Sequence, residues 1–494
     1  MSARYQPRRQ ADENQVAALQ RMRGRPFFAL LMAMRTRKSK VVLDDFGELE
    51  LLGKAKDFLL IAPGGVYRTW VGAMEADLSL DLQGRIKTLV WSSSFSSTRF
   101  TGLVPDFLAH EGPRALLINV EALSMPGRAR DLVINFLSRR PTKTYVVVDE
   151  STIIKNKAER TMFVLTKIRP LAGYRRILSG LATPRSLLDV FFQLWFLDPT
   201  IINITYGRTL PSNWTQFRNK VAHMKRENFG GRWVDIIDTK KGVRGFRPEA
   251  IAEVKRRMEP HSFRVEFRPK IPSTFTIREV EMTKEQEKAY KEIKDFATTL
   301  LASGGHVTAT VVIAQIVRMH QVLMGHTIDE EGVEHVLPEK RTAALLDLLQ
   351  DYDGKCIVWC SYGHDVRKVS TALEKEFECP VAKFYGGNES TREAEELQFR
   401  TDPECRFMVA TPDAGGKGRT WDVADLAVFY SNRDNLELRD QAEMRTMGKD
   451  KEHGVDNVDL VVPGTVDEKI LQALRAKIDM AAVINGDNWR QWVV

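Results

Sequence analysis

The stretch Thr144-Tyr145-Val146-Val147-Val148-Asp149-Glu150-Ser151-Thr152 decides the fold. Its apolar, β-branched run has no polar residue in the interior, which predicts a strand buried on both faces. Two carboxylates stand where that strand ends, and in an open α/β sheet the carboxyl ends of the strands are where ligands bind. An acidic pair there suits nucleotide hydrolysis. Asp149 would hold a Mg²⁺ ion, directly or through water, and Glu150 would polarise the water that attacks the γ-phosphate. The same pair also serves as an ordinary solvated loop start, and on this stretch alone both readings stand.

Upstream, residues 14–20 (Asn-Gln-Val-Ala-Ala-Leu-Gln) read as a short amphipathic helix, and the run Phe27 to Met34 as a buried strand. Arg35-Thr36-Arg37-Lys38-Ser39-Lys40 follows, then an apolar run from Val41. Strand, short loop, Lys-Ser and helix is the layout of a phosphate-binding loop, in which helix amides and a Lys hold phosphate and a Ser hydroxyl reaches Mg²⁺. The glycine that lets backbone approach phosphate is missing, and Arg37 stands before the Lys. A basic helix start accounts for the same residues. Further strands are expected from Asp57, stopped by Pro63, from Arg114 to Leu123 with a polar exit, and from Tyr174 to Gly180, the last followed by a helix through Asp189 to Leu197. Strands alternating with helical stretches predict a parallel sheet with right-handed crossovers in residues 1–200.

Residues 201–340 change character. Basic, aromatic-dotted segments such as Trp214-Thr-Gln-Phe217-Arg218 and long helices near 283–302 and 308–324 predict a helical insertion. A second α/β block, residues 341–494, contains four more apolar runs, starting near Lys355, Val381, Cys405 and Leu426. Neither block carries a Gly-x-Gly-x-x-Gly fingerprint, which argues against a nicotinamide dehydrogenase and for a site formed between two lobes.

With 494 residues, 43% hydrophobic and 28% charged, the chain has the composition of a soluble globular protein of two or three domains. No apolar run approaches the ~20 residues that span a bilayer, and the polar N-terminus has no apolar core like that of a secretion signal, so a cytoplasmic protein is expected. Cys356, Cys360, Cys379 and Cys405 form no Cys-x-x-Cys pair or ligand cluster and are expected to be reduced thiols. The net charge of +8 makes a polyanion a reasonable partner.

Taken in order, these stretches resemble the superfamily 2 helicase-like ATPases, specifically the Swi/Snf branch and its compact phage-type versions. Gln15 matches the adenine-reading glutamine and Lys38-Ser39 the end of Walker motif A. Ala62-Pro63 with Trp70, the segment Asn119 to Leu123, Asp149-Glu150-Ser151, and Ser179-Gly180 with Asp189 and Gln193 match successive motifs of the first lobe. In the second lobe Tyr385-Gly386-Gly387 with Arg392, Ala414-Gly415-Gly416-Lys417-Gly418 and Gln441-Ala442-Glu443-Met444-Arg445 do the same. The resemblance implies two tandem RecA-like lobes and an ATP-dependent DNA translocase, acting as a monomer on double-stranded DNA with ATP and Mg²⁺. It assigns catalysis to Glu150, Gln441 and Arg445, and nucleotide binding to Gln15, Arg37, Lys38, Ser39, Asp149, Gly416 and Gly418. Mg²⁺ falls to Ser39 and Asp149, and nucleic acid to Arg68, Trp70, Arg218 and Arg392.

Three departures lie where ATP chemistry would occur: Arg37 in place of Gly, Leu181-Ala182 where Thr-Pro is usual, and Gly448 where motif VI has its second arginine. An arginine finger is worth about 10³–10⁵ in rate, so a second reading is carried forward, a nucleic-acid-binding pseudo-helicase impaired in hydrolysis.

Overall fold

The computed structural model describes residues 5–33, 36–64, 66–93, 97–180, 186–202, 214–229, 232–265, 273–302, 309–328, 333–415, 421–447, 451 and 454–485. The chain divides into two compact units, one holding residues up to 223 with 239–268, the other 224–238 with 269–482. Each is built on its own parallel sheet, as expected for two RecA-like α/β lobes.

The first unit contains Phe27–Met32 (β1), Asp57–Ala62 (β2), Lys87–Val90 (β3), Arg114–Asn119 (β4), Thr144–Val148 (β5), Tyr174–Leu178 (β6) and Ser262–Val265 (β7). They pair in the order β3-β4-β2-β5-β6-β1-β7, every pairing parallel. All residues of β2 and β5 are buried, which explains their unbroken apolar sequence: a central parallel strand is covered on both faces. On one face Phe58, Leu60, Tyr145 and Val147 pack with Phe46 and Trp70 from the covering helices.

Charged residues also enter this core near the amino ends of the strands. Asp57 and Arg114 are directly opposed in the β2–β4 register and both fully buried; Arg114 donates to both Asp57 oxygens, and Arg140 adds a third contact. Asp45 likewise accepts from the Tyr145 hydroxyl at 2.7 Å and from Arg176 at 2.7 and 3.1 Å. Every charge there meets an opposite charge with hydrogen bonds, the condition under which buried ions are tolerated.

The second unit contains Thr274–Glu279 (β8), Cys356–Trp359 (β9), Val381–Phe384 (β10), Phe407–Ala410 (β11), Leu426–Phe429 (β12) and Asp456–Val461 (β13). Their order is β8-β13-β12-β9-β11-β10, again all parallel. Residues 201–340 differ from the expected helical insertion. The two long helices, Lys284–Ala302 and Ala309–Leu323, are present, but β7 is the edge strand of the first sheet and β8 the edge strand of the second. The stretch is thus shared between the units. Among the described residues no helix is long and apolar enough to cross a membrane.

Candidate nucleotide site

Because all strands of the first sheet run the same way, the segments that follow β1, β2, β5 and β6 leave from one edge. Four segments distant in sequence, 36–37, 66–68, 149–152 and 179–180, therefore share that edge for reasons of topology alone. The last strand residues are held in step: the Asp149 amide donates to Ile61 O at 2.9 Å and the Ser179 amide to Leu30 O at 3.1 Å.

The segment after β1 turns into the helix Lys38–Leu51 (α2). Arg37 precedes it with φ 54° and ψ 53°, left-handed backbone that suits glycine, and its residue is exposed. The loop thus keeps the conformation a glycine would adopt, at a cost of about 1–3 kcal/mol. No side chain caps α2 and its first turn contains no acidic residue. Arg37 and Lys38 instead bring cations to the positive end of the helix dipole, an arrangement that favours a bound anion. The Lys38 ammonium folds back on Met32 O at 2.8 Å, an acceptor that an anionic phosphate oxygen can replace with gain. Ser39, in the same turn, is half-buried.

Gln15 braces this loop from outside. It lies in the helix Glu13–Met22 (α1), is 3% exposed, and donates its side-chain amide to Thr36 O at 3.1 Å. Its carbonyl oxygen accepts from the Asp12 amide, completing a capping box at the start of α1. Thr36 in turn donates to Ala33 O at 2.7 Å.

Asp149 is 8% exposed. Its Oδ2 accepts from Trp70 Nε1 and its Oδ1 from the Glu150 amide, both at 2.9 Å. Burial pushes the carboxyl above its usual range, while the charge of Lys38, Trp70 and the Glu150 amide pull it part of the way back. Lys38 and Asp149 thus act on each other at the same edge. Glu150 has φ 45° and ψ 62°, so of the four non-glycine residues with positive φ among the described residues, two flank this site. Ser151 donates to Gln193 Oε1 at 2.5 Å, and Gln193 Nε2 to Asp189 O at 2.7 Å, tying the acidic turn to the helix Val190–Leu197.

Trp70 was expected to meet nucleic acid. It is 2% exposed, turned inward onto Asp149, and in this form offers no surface to a polyanion. A buried indole N–H needs an acceptor, but nothing in the sequence says which of many carboxylates supplies it. Arg68 is exposed beside it, with its guanidinium 5.1 Å from the Tyr67 ring centroid. Arg218 lies over Trp214 at 5.3 Å, also in the first unit. Arg392, in the second, is largely committed locally, donating to Tyr385 O at 2.7 Å and lying over Phe384.

Gln441 and Arg445 belong to the second unit, on the helix Leu436–Thr446 (α3), and are 1% and 5% exposed. Arg439 anchors that helix: it donates to Asp459, Asn432 and Glu443 and lies 3.4 Å above the Phe429 ring. Gln441 Oε1 is buried with no hydrogen-bond partner among the described residues. Gly416, Gly418, Leu181, Ala182 and Gly448 lie outside the described residues.

Comparison with known proteins accords with this architecture. Residues 340–448 match the model of the helicase conserved C-terminal domain. Over 384 residues the chain is 23% identical to the TATA-binding protein-associated factor mot1 of Aspergillus fumigatus, in each of two strains; the match covers 70% of this chain and 20% of the relative. The chain thus spans about a fifth of the length of those curated relatives. Two solved structures, the Sulfolobus solfataricus SWI2/SNF2 ATPase core in complex with dsDNA and that core domain alone, are each 18% identical with TM-scores of 0.42 and 0.40. They cover 99% and 96% of this chain, and 96% and 90% of their own chains are matched. Residues 340–448 are thus similar to the helicase conserved C-terminal domain.

Proposed function

We propose that the protein is an ATP-dependent translocase on double-stranded DNA. The observation that carries this reading is the gathering on one edge of the first sheet of Gln15, bonded to Thr36 O, of Trp70, bonded to Asp149, of Gln193, bonded to Ser151, and of Lys38, whose charge acts on Asp149. These residues are spread over almost 180 positions of sequence, and a shared nucleotide site gives them reason to meet.

The residues fit Mg-ATP. The amides of the first turn of α2 and the Lys38 ammonium would take phosphate oxygens, and Arg37 at the mouth of the loop would leave them access because its residue is exposed. Mg²⁺, when bound, supplies neutralisation of the β- and γ-phosphate charge. Asp149 and Ser39 are the residues to hold it. Trp70 and the Glu150 amide fix the Asp149 carboxylate, so little reorganisation is needed on binding. Glu150 would orient the attacking water, and Gln441 and Arg445 are the catalytic candidates of the second unit. The exposed Arg68, with Arg218 and Arg392, would hold DNA through phosphate, which predicts low sequence preference and strong salt dependence.

The pseudo-helicase reading has no such support: left-handed backbone at Arg37 preserves the loop shape that the missing glycine put in doubt. The test is phosphate release from ATP with and without duplex DNA, for the parent, Lys38→Ala and Glu150→Gln. DNA-stimulated release in the parent and loss in both variants supports the proposal. DNA binding without release in the parent would overturn it in favour of the pseudo-helicase.

A further inference from the structure

The second unit holds a buried polar cluster that the nucleotide reading does not use. His326, His364 and Asp365 each offer a ligand atom, and those atoms lie within 4.8 Å of one another. None of the three is part of a motif named above.

Local structure brings them together. The helix Ala309–Leu323 ends at Gly325, whose φ of +81° turns the chain; a Cβ there would lie 2.4 Å from Glu339 Cγ, so glycine is required twice over. His326 follows at once and opens a short antiparallel strand pair, His326–Ile328 with Glu334–Val336. His364 and Asp365 lie in the first turn of the helix Gly363–Phe377, which follows β9. His326 is 1% exposed and Asp365 not exposed at all.

These side chains lack the partners that burial demands. His326 Nδ1, His364 Nε2 and both oxygens of Asp365 are buried with no hydrogen-bond partner among the described residues. A carboxylate enclosed without a donor is among the costliest polar arrangements in a protein interior. The neighbouring cations are engaged elsewhere: Lys368 donates to Met324 O at 2.6 Å and pairs with Glu339, while Arg341 serves Tyr430 O, Leu460 O and Asp467. A bound cation would satisfy all four atoms together.

We propose that His326, His364 and Asp365 form a binding site for a divalent transition-metal ion of the Zn²⁺ class. Two imidazole nitrogens and one carboxylate oxygen suit such an ion, whereas Mg²⁺ and Ca²⁺ prefer oxygen ligands throughout. His326 Nδ1 and Asp365 Oδ1 are 3.6 Å apart, close to the roughly 3.3 Å edge of a tetrahedron with ~2.05 Å bonds. The outer contacts fit as well. Glu334 Oε1 lies 2.7 Å from His364 Nδ1, so the carboxylate holds the proton on Nδ1 and leaves the Nε2 lone pair for the metal. The helix end opposes a cation weakly, and Asp365 in its first turn reverses the local sign. The ion ties the 326–336 strand pair to the helix of Gly363–Phe377, a structural role in a lobe where no cysteine joins the ligand set.

The test uses the untagged full chain. Metal content is measured by mass spectrometry after dialysis, and Co²⁺ is titrated into chelator-treated protein while visible absorption and Tm are followed. One equivalent of metal is expected, with a tetrahedral Co²⁺ spectrum displaced by Zn²⁺ and a rise in Tm of about 4 °C or more on Zn²⁺ addition. Asp365→Asn and His364→Gln should each weaken Co²⁺ binding at least tenfold, while Lys38→Ala leaves it unchanged. If those variants fail to fold, X-ray absorption of the parent's bound Zn²⁺ decides instead, two imidazoles and one carboxylate being expected. Substoichiometric metal, no Co²⁺ spectrum and no Tm shift in the parent would overturn the site, as would cysteine sulfur in the metal's shell.

Discussion

The two edges of the first sheet obey opposite rules. At the amino edge, Asp57 with Arg114 and Arg140, and Asp45 with Arg176 and Tyr145, are buried charges whose partners are all present. At the carboxyl edge two non-glycine residues, Arg37 and Glu150, take left-handed backbone, and a buried carboxylate is held above its usual pKa range. One edge is settled for stability, and the other keeps strained backbone and a carboxylate whose burial disfavours its charge. Such tension is found where a ligand is to be received. Substitutions at the amino edge should therefore damage folding, and those at the carboxyl edge should alter function while sparing or improving stability.

The largest effect is expected from Asp57→Ala. It leaves Arg114 buried without its counter-charge, so a loss of about 3–5 kcal/mol in urea unfolding is expected, with nucleotide binding retained by the fraction that folds. A loss below ~1 kcal/mol would break the contrast. Next in size, Lys38→Ala should lower kcat by roughly 10²–10³ through lost phosphate stabilisation, with Tm changed little because the residue is only half-buried.

Arg37→Gly relieves the left-handed backbone. A gain of roughly 1 kcal/mol in stability and tighter nucleotide binding are expected together, measured by denaturant unfolding and by titration with ATP. Turnover should not become that of a full motor, since Gly448 still stands where a second arginine would be.

The smallest effect separates the edges by pH. Asp149 has a folded pKa raised above its unfolded value by burial, so its ionisation opposes folding. That cost is absent below the unfolded pKa, near 4, and grows as pH rises through the raised folded value. Asp149→Asn should accordingly match the parent in stability at pH 4 and exceed it at pH 7, while losing hydrolysis. Equal stabilities at both pH values would show that the carboxylate is not strained.

Much of this was legible in the sequence, for identifiable reasons. Strands β2, β4 and β5 are covered on both faces, so their apolar runs stand out, and parallel topology then places Asp149 and Lys38 on one edge. The edge strand β3 escaped notice because Lys87-Thr88-Leu89-Val90 is only partly buried, and β8, with Ile277 exposed, carries little burial signal. Contacts between distant residues were illegible in principle. Trp70 reaches Asp149 across 79 positions and Asp57 meets Arg114 across 57, and side-chain chemistry alone does not choose among many possible partners. The His326, His364 and Asp365 cluster was hidden for the same reason, since its ligands are not spaced as a motif.

The most direct test of the central claim is calorimetric titration of a non-hydrolysable ATP analogue with Mg²⁺ into the parent, Arg37→Gly and Lys38→Ala. One site per chain is expected in the parent, tighter binding in Arg37→Gly, and at least a tenfold weakening in Lys38→Ala. Equal affinity in all three would contradict the account, because the nucleotide would then lie away from the edge where Lys38 and Asp149 meet.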